Sequence, residues 1–288
     1  MKNDEKTNVF FENDDVDVTK SEINAERILR RCHVHSYDDG GVFSFITGGM
    51  GTGKTSVMLS FMDYTIEHYP DEKIFWSNTY NSPIQSLKIG LDKHHIMVQH
   101  GCGVTFHDRT KRLEQIYPNV TIFKGFSDLY QRAKPGTCNC VFFGDRMLWM
   151  DFIHYLRSVG EWVHIYIDEL SEISPAFTSG KLFKKIGQFS VDLKEVRKCM
   201  MNVHCNSQAL PDIDHRVRTK LMIRIFLPGA KAGKDSRITQ GAIDNLSEDS
   251  KNGNEAYLEY SGKFGTTIFK DIFRPIPGLQ WEARTDDK

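Results

Sequence analysis

An α/β fold is what this sequence predicts: a mostly parallel central sheet flanked by helices, with a β-rich C-terminal extension. Three observations carry that reading. Short β-branched and aromatic runs alternate with stretches of helical spacing from residue 41 to residue 208, the pattern of a parallel sheet with helices on both faces. One apolar run opens directly into "GGMGTGKT" (48–55). Another, "VHIYIDEL" (163–170), ends in two acids. Ligands in such sheets gather at the carboxyl ends of the strands, and both motifs fall there.

The elements follow in order. Residues 1–25 are polar and acidic (Asp4, Glu5, Glu12, Asp14, Asp15, Asp17, Glu22) and read as a mobile tail. "AERILRRCHVHS" reads as a short helix. "GVFSFIT" (41–47) is short enough for a buried strand. "GKTSVMLSFMDYTIEHY" (53–69) spaces Val57, Leu59, Phe61, Met62 and Ile66 as a helix, which Pro70 ends. "KIFWSN" (73–78) is a second strand, and 79–118 reads as an irregular insertion. "NVTIFKGF" (119–126) and "CNCVFFGD" (138–145) are further strands, and residues 146–160 form a helix closed by Gly160. "FSVDLKEVRKCM" reads as a helix and "MNVHCNSQ" (201–208) as the next strand. A core over 26–230 with a β-rich extension over 231–288 results.

Composition bounds the function. The chain has 288 residues, 40% hydrophobic and 26% charged, with a formal net charge of −1. No global field attracts polyanions, so any nucleic-acid contact rests on local basic patches. The six cysteines are scattered and read as reduced, mostly buried thiols of a cytoplasmic protein. Cys138 and Cys140, with His94, His95, His100 and His107, raise zinc, but their spacing is not that of a zinc finger. No apolar run approaches the roughly 18 residues that span a bilayer, so no membrane anchor is expected.

Gly48, Gly53, Lys54 and Thr55 fit G-x-x-x-x-G-K-[ST], after a strand and opening a helix, as the motif requires. The chemistry explains the residue types. Glycines let the backbone N–H groups of Gly48, Gly49, Met50, Gly51, Thr52, Gly53, Lys54, Thr55 and Ser56 turn inward around phosphates. The helix N-terminus adds partial positive charge. Lys54 reaches the β- and γ-phosphates of ATP, and the Thr55 hydroxyl ligates Mg²⁺. Asp168, at the end of an apolar strand, completes the metal site. Glu169 beside it orients or deprotonates the attacking water. Gln208, ending the "MNVHCNSQ" strand, senses the γ-phosphate if that strand neighbours the cradle strand.

These motifs, with the following "LPDIDHRVRTKLMIRIF", resemble the FtsK/HerA-like superfamily of P-loop ATPases over residues 40–230. The superfamily includes DNA translocases and viral genome-packaging ATPases, with Zot-like proteins as relatives. The family's strand often ends in Ser-Gln or Thr-Gln before a basic residue, whereas "SQALPDID" follows here. The resemblance implies a ring-forming, commonly hexameric ATPase that moves DNA. It also implies an arginine reaching the neighbour's nucleotide, with Arg216 and Arg218 as candidates and Arg146 as a third. A capsid or portal component is a further implied partner, in the host cytoplasm or the virion. The basic patches would be Lys181, Lys184 and Lys185; Lys194, Arg197 and Lys198; and Lys231, Lys234 and Arg237, with Asp192, Glu195 and Asp235 interleaved. A Zot-like assembly ATPase and an ATP-gated module without DNA are the alternatives, and a kinase is disfavoured by Glu169.

Overall fold

Buried strands alternate their side chains between two faces, and the first strand shows the pattern on which the rest is built. In a computed structural model, which describes residues 18–33, 38–77, 94–108, 119–234, 236–249, 253–269 and 279–285, strand β1 spans Phe43–Thr47 and is buried throughout. Phe43 and Phe45 enter one apolar cluster, while Val42 and Ile46 enter the other. The same split recurs in β2 (Lys73–Ser77), where Phe75 faces one way and Ile74 and Trp76 the other.

Helices cover both faces. On one lie α1 (Val18–His33) and α2 (Lys54–His68), the latter burying Val57, Met58, Phe61, Met62 and Ile66. On the other lie α3 (Phe126–Arg132), α4 (Leu148–Leu156) and α5 (Gly180–Glu195). Trp149, Phe152, Ile153 and Leu156 of α4 are at most 2% exposed. At about 1.5–3 kcal/mol for each large side chain removed from water, this one helix anchors its face of the sheet.

The remaining strands are β3 (His94–Gln99), β4 (Cys102–Asp108), β5 (Asn119–Phe123), β6 (Cys138–Phe142), β7 (Val163–Ile167), β8 (Met201–Ser207) and β9 (Ile223–Phe226), then β10 (Glu248–Asp249), β11 (Gly253–Tyr260), β12 (Lys263–Phe269) and β13 (Leu279–Thr285). The short helices α6 (His215–Arg218) and α7 (Gln240–Asp244) flank β9. The sheet runs β10-β11-β9-β1-β8-β7-β2-β6-β3-β5, with β12 paired to β11. From β9 to β5 every pairing is parallel, while β10, β11 and β12 pair antiparallel. The parallel α/β core and strands β10, β11 and β12 of the C-terminal extension therefore form one continuous sheet, while β13 pairs with β4 in a separate two-stranded sheet.

Several elements differ from the sequence reading. Residues 79–118 are not simply irregular: β3 is an integral strand between β6 and β5, and β4 pairs antiparallel with β13. The two histidines that open β3 hide its character. His95 is buried because its ring bonds Asn139 (2.9 Å) and Thr121 (2.7 Å) on the strands either side. Helix α1 begins at Val18, inside the stretch expected as a tail, and residues 1–17 lie outside the described residues. The helix read from Phe189 to Met200 instead begins at Gly180 and ends at Glu195. Helix α4 is shorter than 146–160, its last residues passing into turns before Gly160 at φ 73°.

Candidate functional site

The carboxyl ends of β1, β2, β7, β8 and β9 meet along one edge. Register fixes their levels: Thr47 pairs with Ser207 on one side and Phe226 on the other, and Ile167 pairs with Ser77 and Cys205. Strand β8 lies between β1 and β7. The glycine loop and the two acids thus emerge one strand apart.

The loop between β1 and α2 is held from both sides. Gly51 (φ 81°) and Gly53 (φ 88°) adopt the left-handed conformation that glycine takes without strain. Gly53 caps α2 with no side-chain partner, leaving the first-turn N–H groups facing out of the helix. Gly49 N–H donates to Pro228 O (2.8 Å), Thr52 Oγ1 donates to Gly49 O (2.9 Å), and Asn254 Nδ2 donates to Thr52 O (2.8 Å). A Cβ on Gly48 would lie 2.6 Å from Thr52 Oγ1 and 2.8 Å from Leu227 Cβ, so only glycine fits there. Lys54 Nζ donates to the carbonyls of Gly48 (3.0 Å) and Gly49 (2.8 Å), curling over the loop. Burial lowers the Lys54 pKa, and the nearby Glu169 and Asp168 carboxylates oppose that shift. Met50 stands exposed at the loop tip, while Thr52 and Ser56 are buried in its base.

The acids meet the loop directly. Thr55 Oγ1 donates to Asp168 Oδ1 (3.2 Å), and Asn206 Nδ2 donates to the same oxygen (2.7 Å). Asp168 N–H donates to Ser77 Oγ (3.0 Å), and Glu169 N–H donates to Asn206 Oδ1 (2.9 Å). Asn206 therefore ties both acids to β8. Glu169 sits at φ 60°, ψ 70°, a left-handed backbone unusual outside glycine. Strain of this kind persists where surrounding contacts over-determine it. Both Ser171 and Ser207 hydroxyls donate to Glu169 Oε1.

Not every expected residue joins this cluster. Gln208 follows the end of β8, next to β1, with its side chain exposed and its carbonyl accepting from Thr47 Oγ1 (3.0 Å). Arg216 is committed within its own chain: its guanidinium bonds both Asp214 oxygens (2.9 and 2.8 Å), donates to Phe183 O (2.9 Å) and lies 3.9 Å over the Phe183 ring. Arg218 reaches Leu210 O (3.5 Å) and His215 Nδ1 (3.3 Å). Arg146 pairs with Glu172.

Of the basic patches, Lys181 and Lys184 are exposed at the start of α5, while Lys185 pairs with Asp151 (2.8 Å). Lys194 is exposed, Lys198 pairs with Glu195 (3.1 Å) and Arg197 donates to Asp39 O (3.0 Å). Asp192 is buried and takes His154 and Arg157 rather than a lysine. Lys231, Lys234 and Arg237 are exposed on the segment after β9, and Asp235 lies outside the described residues.

Sequence reasoning singled out only Gln208 at the end of β8 and assigned no role to Ser77, Ser171, Asn206 or Asn254. Ser77 and Asn206 carry a usable signal, being polar ends of buried strands beside the acid strand. Asn254 has none, because it meets Thr52 from 202 residues away.

A glycine loop between a strand and a helix, the Lys54-Thr55 pair that opens the helix and an acid strand one strand removed together make this a P-loop NTPase fold. No protein-family model matches the chain, and no curated protein matches it. Among solved structures, the N-terminal domain of zonular occludens toxin from Neisseria meningitidis is similar, at 15% identity and a TM-score of 0.41, over 82% of this chain and 100% of that one. The genome packaging NTPase B204 from Sulfolobus turreted icosahedral virus 2, in complex with ATP-gammaS, is 11% identical at a TM-score of 0.47, over 82% of this chain and 98% of that one. A DnaB-like replicative helicase is 15% identical at a TM-score of 0.45, over 89% of this chain and 62% of that one. Among the described residues, no helix is long and apolar enough to cross a membrane.

Proposed function

We propose that this chain binds and hydrolyses ATP and uses the turnover to move DNA, with packaging of a viral genome as the task. One observation carries the reading: Lys54, Thr55, Asp168 and Glu169 converge at one strand edge, with Thr55 bonded to Asp168 and the two acids linked through Asn206. The loop N–H groups and Lys54 would bind the phosphates, Lys54 exchanging its bonds to the Gly48 and Gly49 carbonyls for phosphate oxygens. Thr55 and Asp168 fit a Mg²⁺ ion, since both offer oxygen, the donor it prefers, with 3.2 Å between them. Such an ion would offset the phosphate charge. Glu169 would orient and deprotonate the attacking water, and Gln208 would contact the γ-phosphate.

Motors of this kind act as rings, and a homo-oligomer, commonly a hexamer, is part of the proposal. An arginine contributed in trans would stabilise the transition state, with Arg216, Arg218 and Arg146 as candidates; the ties of Arg216 to Asp214 and Phe183 count against it. DNA would contact the exposed lysines without sequence reading, and a capsid or portal component would receive it.

A second reading, an ATP-gated module with slow turnover, is favoured by the two serine hydroxyls on Glu169, which reduce its availability as a base. Steady-state ATP hydrolysis with and without DNA, across a salt series, separates the two. Stimulation that fades with salt supports the motor. Hydrolysis indifferent to DNA supports the gated module, and no hydrolysis at all sinks both.

A further inference from the structure

The loop that leaves the acidic pair ends in an exposed aromatic side chain. Ile173 and Ser174 are buried, Pro175 bridges Ile213, Ala176 N–H donates to Asp212 O (2.9 Å), and Asp214 N–H donates to Ser174 O (3.0 Å). The backbone is therefore pinned up to Ala176. The next side chain, Phe177, is 97% exposed, the most exposed large apolar residue among those described. A single exposed apolar residue is ordinary; its surroundings make this one different.

Lys181 and Lys184 lie one turn apart on the exposed side of α5, and neither pairs with an acid among the described residues. Four residues of chain keep Phe177 within about 14 Å of Lys181. Phe183, half-exposed, lies under the Arg216 guanidinium, which Asp214 locks in place. The surface thus combines a free aromatic ring, a second fixed planar group and two uncommitted positive charges.

We propose that Phe177, Lys181 and Lys184 form a contact for single-stranded DNA, Phe177 stacking on an unpaired base and the lysines holding the flanking phosphates. The inference rests on the reading that this chain acts on DNA, and it specifies the strand form. A ring can stack only on a base whose face is open, which a duplex does not offer along its length, whereas an unpaired strand offers one at every nucleotide. Lysines alone would suit either form.

The test is fluorescence anisotropy with a labelled oligodeoxythymidylate and a hairpin duplex of equal length, across a salt series. Phe177→Ala is expected to weaken single-strand binding about 10- to 100-fold while leaving duplex binding within about twofold, and Phe177→Trp is expected to restore it. Lys181→Ala with Lys184→Ala should flatten the salt dependence for the single strand by about 1.4 in log–log slope, ~0.7 per phosphate contact. If the unaltered protein binds the oligonucleotide and Phe177→Ala binds it equally well, the assignment is overturned while the motor reading stands. Equal losses in Phe177→Ala and Phe177→Trp overturn the stacking role. Binding of neither nucleic acid by the unaltered protein overturns both readings.

Discussion

Asn206→Ala is the substitution that most directly probes how the acids are held. The side chain is 1% exposed and makes two bonds at the site, from Nδ2 to Asp168 and from the Glu169 N–H to Oδ1. Removing it deletes a bond to a carboxylate, worth about 1.5–3 kcal/mol, and leaves a Glu169 N–H without that acceptor. Together the losses put the destabilisation at roughly 2–4 kcal/mol. A chain of this size loses about 2–4 °C in Tm per kcal/mol, so a drop of order 10 °C is expected. The effect on turnover comes from geometry. Glu169 keeps a left-handed backbone that Asn206 helps to enforce, and a misplacement of about 1 Å costs up to 10²-fold in rate. We expect kcat to fall about 10- to 100-fold with a smaller change in KM. Asn202→Ala is the control: it lies on the same strand, accepts from the Val42 N–H (3.0 Å) and contacts His164, well below the strand edge. It should lose comparable stability and keep kcat. ATP hydrolysis and thermal unfolding of the three proteins decide the matter. If Asn206→Ala keeps kcat within twofold, or Asn202→Ala loses as much, the positioning argument is refuted.

Two glycine substitutions should separate space from backbone strain. Gly48→Ala drives a Cβ into Thr52 and Leu227 and should abolish nucleotide binding, whereas Gly51→Ala meets nothing within 4 Å and carries only the left-handed penalty of about 1–2 kcal/mol; labelled-nucleotide titration reads both, and equal losses would refute the distinction. Glu169→Gln should retain ATP and stall turnover, so normal steady-state hydrolysis by this variant removes the water-activating role. Nucleotide affinity should decline with rising pH earlier than an ordinary lysine would dictate, because burial lowers the Lys54 pKa; Lys54→Ala, bound weakly at every pH, should show no such decline. His33, packed on Phe61 and Tyr64, has its pKa lowered to about 4 by burial and by His68. Between pH 6.5 and about 4 the unfolded chain takes up a proton that the folded one does not, so stability falls with pH across that window, by up to about 3 kcal/mol. His33→Gln should flatten that slope in urea unfolding.

The parts of the site legible in the sequence are those whose physics is local. The loop from Gly48 to Ser56 needs glycine conformations, a lysine and a hydroxyl within a few residues, and Asp168 and Glu169 directly follow their strand. The parts that were not legible depend on pairings across the sheet. Strand β3 buries Ile96, Met97 and Val98, yet its polar members make sense only once Asn139 and Thr121 are known to flank His95. Helix α5 contains Gly187, a weak helix former, but a Cβ there would lie 3.3 Å from Arg216 Nη1, so the position serves the packing of α6. Arg216 read as a free arginine because its partners, Asp214 apart, come from α5.

Strand β8 explains how the edge is built. Met201, Val203 and Cys205 point into the cluster beneath α4 and α5, while Asn202, His204 and Asn206 point to the opposite face. A buried polar row is tolerated only where each member has partners. Asn202 takes Val42 N–H, His204 bonds Ser44 (2.7 Å), and Asn206 takes the acids. The row therefore locks β8 to β1 in one register, since a slip of one residue would turn the polar row into the apolar cluster. That lock sets the acids against Thr55. Glu169 has a second tether: Ser171, on the short turn after it, belongs to the segment whose residues 174–176 pair with 212–214. The segment ends at Phe177. That pairing fixes where the exposed ring leaves the fold, while Ser171, earlier in the same segment, is one of the two hydroxyls on Glu169. The two acids are thus held differently: Glu169 by the hydroxyls of Ser171 and Ser207, Asp168 by the Asn206 amide.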